Sequence, residues 1–349
     1  MNSAEIAKLA GVSRSTVSRV INNYPNVPEA TRQKVQKVIE EYDYVPHASA
    51  RMLAGSQNRV IGLFIVDVNK AEPEQKNRMT KSPYYLEFTS SVIEVASELD
   101  YTVLVHIIHN IAGYEKVKAY FFNKTIAGGI FIGQSDNDPA IQRIIDKGYQ
   151  VVLVDQSIST HDKSVAQGMI VNADNQQGAY QATKYLLAKQ HTRIVHLTGG
   201  TSKYSAKARL AGYQQAMHEA QIPIRPEWIV ASEFVEASGY LATKQLFQQQ
   251  VVFTAIFASN DKIAFGAMKA IQEQGLRVPE DISVIGFDNI ESAKYSHPPL
   301  TSINMELGKM AELATQALVQ AIEAGYIVKN SVVPVTLVER TSCGVAPTV

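Results

Sequence analysis

The sequence predicts a small all-α helix-turn-helix headpiece followed by an α/β core of two doubly wound lobes. Two observations carry that prediction. Before Tyr44 the apolar residues fall at helical spacing in three short segments. From Asn58 onward, continuous apolar runs alternate with helical patterns, which is the rhythm of repeated βαβ units.

Within the headpiece, Ala4 to Asn22 reads as a helix-turn-helix. Ile6 and Leu9 give the first helix its apolar face, Gly11 supplies the tight turn, and Ser13 is a natural N-cap. Val17, Val20 and Ile21 follow at i, i+3, i+4 and form the buried face of the second helix. Arg14, Ser15, Ser18 and Arg19 are then left outward on its N-terminal half, where recognition helices meet base edges and phosphates. Val27-Pro28-Glu29 opens a third helix that runs to about Glu41, with Val35, Val38 and Ile39 as its apolar face. Tyr42 to Gly55 closes this small domain and begins a short alanine-rich segment.

The core opens with Val60–Val66, an uninterrupted apolar run of the kind buried on both faces of a parallel sheet. Similar runs recur at 102–107, 129–132, 151–154, 194–197, 255–258 and 282–287. Helical patterns lie between them, at 85–99, 179–189, 206–220 and 262–274. Two such units of similar size, roughly 58–158 and 159–302, suggest two lobes with a cleft between them. Ligands of doubly wound sheets sit beyond the carboxyl ends of the strands. Asp67, Asp155, Asn260-Asp261 and Asp288-Asn289 stand at those ends, and Arg209 starts a helix near the same crevice. Carboxylates, amides and one planar guanidinium suit the paired hydroxyls of a sugar. Tyr84, Tyr85 and Phe234 offer faces for stacking, although both tyrosines could equally be core aromatics. Asp261 could serve as a helix cap, and Asp67 reads as a loop residue.

Composition narrows the function. The 349 residues are 46% hydrophobic and 19% charged, enough for two or three globular domains, and the formal net charge is zero. That zero is unevenly divided. Residues 1–59 carry eight basic and five acidic side chains, and the remainder 25 and 28, so the headpiece is +3 and the core −3. The positive charge lies where phosphates would be, but it is modest, so two headpieces must act together. A lone cysteine, Cys343, excludes an intramolecular disulfide framework and fits a reducing compartment. No N-terminal apolar h-region and no apolar run of membrane length occurs, so a cytoplasmic protein with no membrane partner is expected. The eight histidines lack metal-ligand spacing, no G-x-S-x-G or Walker loop is present, and Thr198-Gly-Gly-Thr201 is a strand-end turn. Asp/Asn pairs across a cleft could hydrolyse glycosides, but that reading leaves the headpiece unexplained. No enzyme, cofactor or metal is expected.

The chain resembles the LacI/GalR family of bacterial transcription regulators along essentially its whole length. The resemblance rests on A-G-V-S at 10–13, T-V-S-R-V-I-N at 16–22, the Tyr44-Val-Pro46 exit and A-R-M-L-A-G at 50–55. It extends to the run from Val278 through Asp288-Asn289, and to Pro298-Pro-Leu-Thr301-Ser-Ile303. It implies a headpiece at 1–46, a hinge helix and linker at 47–57, and a core at 58–349 that shares the architecture of periplasmic sugar-binding proteins. The first lobe would span about 58–158 and 304–330, the second about 159–303 and 331–349, with three crossings between them. The closing helix at 307–324 would return to the first lobe, and a strand at 332–338 would end in the second. By resemblance the DNA-contacting set is Ser13, Arg14, Ser15, Thr16, Ser18, Arg19 and Asn22, with His47, Ala50 and Leu53 in the hinge. Leu53 would wedge into the minor groove at the operator centre.

The effector-binding set implied by the family is Arg209, Asn260 and Asp288, then Asp155, Phe234, Tyr84 and Tyr85. The expected partners are a double-stranded operator, a second copy of the chain and a small carbohydrate effector. A purine or a phosphocarrier protein is the alternative effector; Lys203 stands where purine-sensing relatives carry an arginine. Two departures stand out: Asn2 and Ser3 replace a hydroxyl and an apolar residue, and His47 replaces an asparagine. The loop Asn69–Ser82 is longer than usual before Pro83-Tyr84-Tyr85, and reads as either a lid or a disordered segment. Family tetramers add a C-terminal heptad helix, whereas the eleven residues after Val338 show no a/d pattern, so a dimer is expected.

Overall fold

The structure, a computed structural model, describes residues 1–21, 24–44, 58–67, 82–157, 168–200, 202–325 and 330–347. Two compact units emerge, Met1–Arg59 and Val60–Val349. The first contains α1 (Ser3–Ala10), α2 (Arg14–Ile21) and α3 (Glu29–Glu41). Asn2 is a working N-cap: its side chain accepts the Ala4 and Glu5 amides, while Glu5 accepts the Asn2 amide at 2.9 Å. This capping box explains why the departure at Asn2-Ser3 is tolerated and why α1 starts one residue early. Gly11 ends the helix at φ 62°, a left-handed conformation that glycine adopts without a Cβ clash.

The headpiece core is Ile6, Ala7, Ala10, Val17, Val20, Val27, Val35 and Tyr44. Leu9, expected in this core, is 47% exposed. The buried stripe of α1 runs through Ile6, Ala7 and Ala10 instead, whose small alanines seat the helix against its neighbours. Ile21, Val38 and Ile39 pack at the margin.

The larger unit holds two six-stranded sheets. In chain order its elements are β1 (Val60–Val66), α4 (Pro83–Glu98), β2 (Thr102–Ile108), α5 (Ile111–Phe122), β3 (Gly128–Ile132), α6 (Pro139–Asp146), β4 (Gln150–Val154) and β5 (Met169–Ala173). There follow α7 (Asn175–Ala188), β6 (Ile194–Leu197), α8 (Tyr204–Glu219), β7 (Ile229–Val230), α9 (Glu236–Gln248), β8 (Ala255–Ala258), α10 (Asp261–Glu273), β9 (Ser283–Asp288) and β10 (Thr301–Asn304). The chain closes with α11 (Leu307–Ala324), β11 (Ser331–Val333) and β12 (Thr336–Val338).

The first sheet has the order β11-β5-β4-β3-β1-β2 and the second β12-β10-β9-β8-β6-β7. Their strands pair in parallel except β12, which runs antiparallel to β10. α11 returns to the first sheet and packs on β3, β4, β5 and α4. The chain thus passes between the sheets after β5, β10 and β11.

Two boundaries differ from the sequence expectation. β5 belongs to the first sheet, so the first lobe continues well past residue 158. The strand is hard to see because Asn172 interrupts its apolar run: that side chain is buried and exchanges hydrogen bonds with the Gln156 backbone at 2.8 and 3.0 Å. The single strand expected at 332–338 is two strands in different sheets, so residues 331–333 lie with the first lobe. Pro334 separates them, since a residue without an N–H cannot continue the ladder. Among the described residues no helix is long and apolar enough to cross a membrane.

On the second sheet α9 and α10 cross at two glycines. A Cβ on Gly266 would lie 2.0 Å from the Glu236 carbonyl oxygen, and one on Gly239 2.2 Å from that of Ile263. The contact atoms are backbone and cannot rotate away. Gly266→Ala should therefore destabilise the core by about 1–3 kcal/mol, read as a lower midpoint in urea unfolding.

Candidate functional site

On the headpiece, the outer face of α2 is polar throughout its N-terminal half. Ser13, Arg14, Ser15, Ser18 and Arg19 are exposed and Thr16 is half-buried. Ser13 Oγ accepts the Thr16 amide at 3.1 Å, the N-cap bond. The same hydroxyl lies 2.7 Å from Ser15 Oγ and 2.8 Å from Thr16 Oγ1, so three hydroxyls form one cluster at the helix start. Arg14 Nε donates to Ser3 Oγ at 2.9 Å, which ties it to α1. Asn22, His47, Ala50 and Leu53 lie outside the described residues, as does the 69–81 part of the long loop.

In the core, a cavity at the carboxyl ends of both sheets is lined by all seven residues expected there: Tyr84, Tyr85, Asp155, Arg209, Phe234, Asn260 and Asp288. Arg209, on α8, is the centre of the second-lobe wall and only 2% exposed. Its Nε donates to Asn175 Oδ1 at 2.9 Å, and Nη1 donates to the Ser259 carbonyl and lies 3.4 Å from Asp288 Oδ1. Nη2 reaches Met305 Sδ at 3.1 Å, and the guanidinium lies 3.8 Å from the centre of the Phe287 ring. Phe234 stands further out, at 5.8 Å.

Asp155 occupies the end of β4 with φ 55°, and Asp288 the end of β9 with φ 104°. Aspartate visits positive φ more readily than most residues, and here it turns each strand end outward at the cavity. Asp155 accepts from Tyr84 Oη at 3.1 Å and from Asn175 Nδ2 at 3.1 Å. Tyr84 is thus a bonded partner of the site and meets Tyr85 edge-on. Asn260 caps α10 by accepting the Ile263 amide at 2.9 Å while lining the cavity. Asp261 is structural: it accepts from Ser302 Oγ at 2.5 Å and the Ile290 amide at 2.8 Å. Asp67 is absent from the cavity lining and faces His109 at 3.9 Å.

Burial pushes the Asp288 carboxyl up to about 7, with Arg209 opposing and Asp155 reinforcing the rise. Burial also raises Asp155, against the pull of Arg209, Asn175 and Tyr84. Cys343 is buried in the second lobe, and burial raises its thiol to about 12, which makes it inert. Among the described residues no group of three metal-ligating side chains occurs.

Sequence reasoning did not find Asn175, Gln134 or Ser205. Gln134 and Ser205 line the cavity, and Asn175 bridges Arg209 to Asp155. Their one sequence signal is position: each stands at or just past a strand end or in a helix's first turn.

Residues 4–47 match the family model described as bacterial regulatory proteins, lacI family, and residues 183–343 match a periplasmic binding protein-like domain. The HTH-type transcriptional repressor PurR of Vibrio vulnificus (strain CMCP6) is 35% identical over 324 residues, which covers 91% of each chain. The chain belongs to the LacI family. Its relatives are transcriptional regulators, and this LacI-family chain is a regulator, not an enzyme. Among solved structures it is similar to the Lac repressor dimer bound to operator and the anti-inducer ONPF, with a TM-score of 0.82 and 28% identity over 98% of each chain. It is also similar to the transcriptional regulator CelR–cellobiose complex, with a TM-score of 0.74 and 27% identity over 98% of this chain and 99% of that one.

The raised Asp288 has a measurable consequence for this LacI-family regulator. The native state keeps a proton that the unfolded chain releases near 3.8. This contribution favours the native state in full below that value and is lost as pH rises through about 7. Asp288→Asn removes the titration. The variant's Tm minus the wild-type Tm should therefore increase as pH is raised from about 5 to about 8, followed by differential scanning calorimetry without ligand.

Proposed function

We propose that this regulator is a cytoplasmic, dimeric repressor of a carbohydrate-utilisation operon that takes a small sugar in the core cavity. One observation carries the reading. Two carboxylates, a guanidinium, an amide and an aromatic face converge on one cavity at the carboxyl ends of both sheets. Paired acceptors and a planar fork of donors match vicinal hydroxyls, and Phe234 offers a face for a sugar ring. The cellobiose carried by the similar CelR structure supports the same class.

The hydroxyl and arginine face of α2 would read each half of a pseudo-palindromic operator. His47, Ala50 and Leu53 are assigned to the operator centre on family resemblance alone. Leu86 and Ile93, at i and i+7 on α4, are 44% and 47% exposed, and this apolar stripe suits pairing with a second copy. The similar Lac repressor structure is a dimer. The path Arg209–Asn175–Asp155–Tyr84 joins the two lobes, so a ligand that competes for any member would favour one lobe arrangement over the other.

Arg19→Ala and Ser15→Ala should each weaken specific operator binding, with about 1–3 kcal/mol lost for an arginine that contacts a base. Fluorescence anisotropy on operator and scrambled duplexes checks this, and unchanged affinity and preference in both variants overturns the α2 assignment. Asp288→Ala should abolish the effector response while operator binding persists, because the Arg209 guanidinium loses the carboxylate that lies 3.4 Å from its Nη1. Light scattering should give a mass near twice 38.4 kDa. Co-purification with a phosphocarrier protein, in place of sugar binding, would favour a protein effector.

A further inference from the structure

Gln134 follows β3 in the first-lobe wall of the cavity and is 3% exposed. Its Nε2 donates to the Val154 carbonyl at 3.0 Å. That bond fixes the orientation of the amide, since the flipped arrangement would set two acceptor oxygens against each other. The Oε1 end is consequently an acceptor, and it is buried with no donor among the described residues. Such orphaned acceptors are uncommon, because burial strips them of water without a replacement bond. One other side-chain atom shares this condition among the described residues, Thr89 Oγ1, and Thr89 is not in the cavity lining. The neighbouring backbone is already engaged: the Gly133 carbonyl accepts from Lys203 Nζ, and the Asp136 amide donates to the Ser202 carbonyl at 3.2 Å. Lys207 Nζ lies 3.5 Å from Asp136 Oδ2, so the segment holding Gln134 is tied at three points to the start of α8.

We propose that Gln134 is a specificity-determining residue of the effector site, whose Oε1 accepts a hydrogen bond from a hydroxyl or amino group of the ligand. The inference rests on the reading of this cavity as the effector site. A ligand with an ether oxygen, a carbonyl or a hydrogen at that position would leave the acceptor unpaired or face it with a second acceptor. The site would discriminate against such a ligand, as sites built around a hydrogen bond do. Because Gln134 sits in the segment held to α8, the same bond would reinforce the contacts between the two lobes.

The test is isothermal titration calorimetry on the full-length protein with glucose, galactose, maltose, cellobiose, hypoxanthine and guanine. The tightest binder is then compared with analogues that each lack one hydroxyl or amino group, on wild type, Gln134→Met and Asp288→Ala. Gln134→Met should bind the parent compound about 3–10-fold more weakly. One analogue should bind wild type with a similar loss, yet bind Gln134→Met as well as the parent does. Operator binding and thermal unfolding check that the variant folds, and Gln134→Asn, which withdraws the acceptor by one methylene, serves if the methionine variant does not. Wild-type affinity in the Gln134 variant, or equal losses across the analogues in both proteins, overturns the role of Gln134 and leaves the cavity assignment standing. If Asp288→Ala binds the parent as wild type does, or nothing in the panel binds, the cavity assignment fails and the inference falls with it.

Discussion

The buried guanidinium of Arg209 is the group on which the second lobe's cavity-facing wall depends. A cation with 2% exposure is tolerated only where its donors are met, because desolvation is otherwise uncompensated. Its partners come from four separate places: Asn175 at the start of α7, Ser259 after β8, Asp288 at the end of β9 and Met305 after β10. Phe287 covers its face at 3.8 Å. One side chain therefore gathers the carboxyl ends of consecutive strands, where the topology opens a crevice.

Around that cation the carboxylates have divided duties. Asp261 accepts one bond on each oxygen, from Ser302 and the Ile290 amide, and ties the start of α10 to β10 and to the turn after β9. Asp155 and Asp288 keep capacity toward the cavity, and burial holds both above the usual carboxylate range. Their positive φ values show the backbone bent to present them. Raised carboxyls, a shared arginine and an amide oxygen without a donor among the described residues thus meet in one cavity.

The same residues connect the lobes. Asn175 begins the helix that follows the first crossing, and its amide accepts from Arg209 and donates to Asp155. Lys203 and Lys207 reach back to the β3–α6 segment from the second lobe. Hydrogen bonds and an ion pair thus already span the cavity from one lobe to the other.

Much of this was legible in the sequence. The helix-turn-helix followed from apolar spacing and from Gly11 and Ser13, and most strands from uninterrupted apolar runs, because both signals arise from local burial periodicity. Asp155, Asn260 and Asp288 could be found as polar residues at strand ends, and Arg209 through the family resemblance of its helix. Other features required the tertiary structure. Leu9 lost its place in the headpiece core to Ala7 and Ala10, since the approach of neighbouring helices selects the buried stripe. β5 escaped notice because Asn172 is satisfied by Gln156, a contact between segments sixteen residues apart. Asn175 and Gln134 have no periodicity or motif to mark them. Their roles exist only where chain segments distant in sequence converge, and that is what the fold decides.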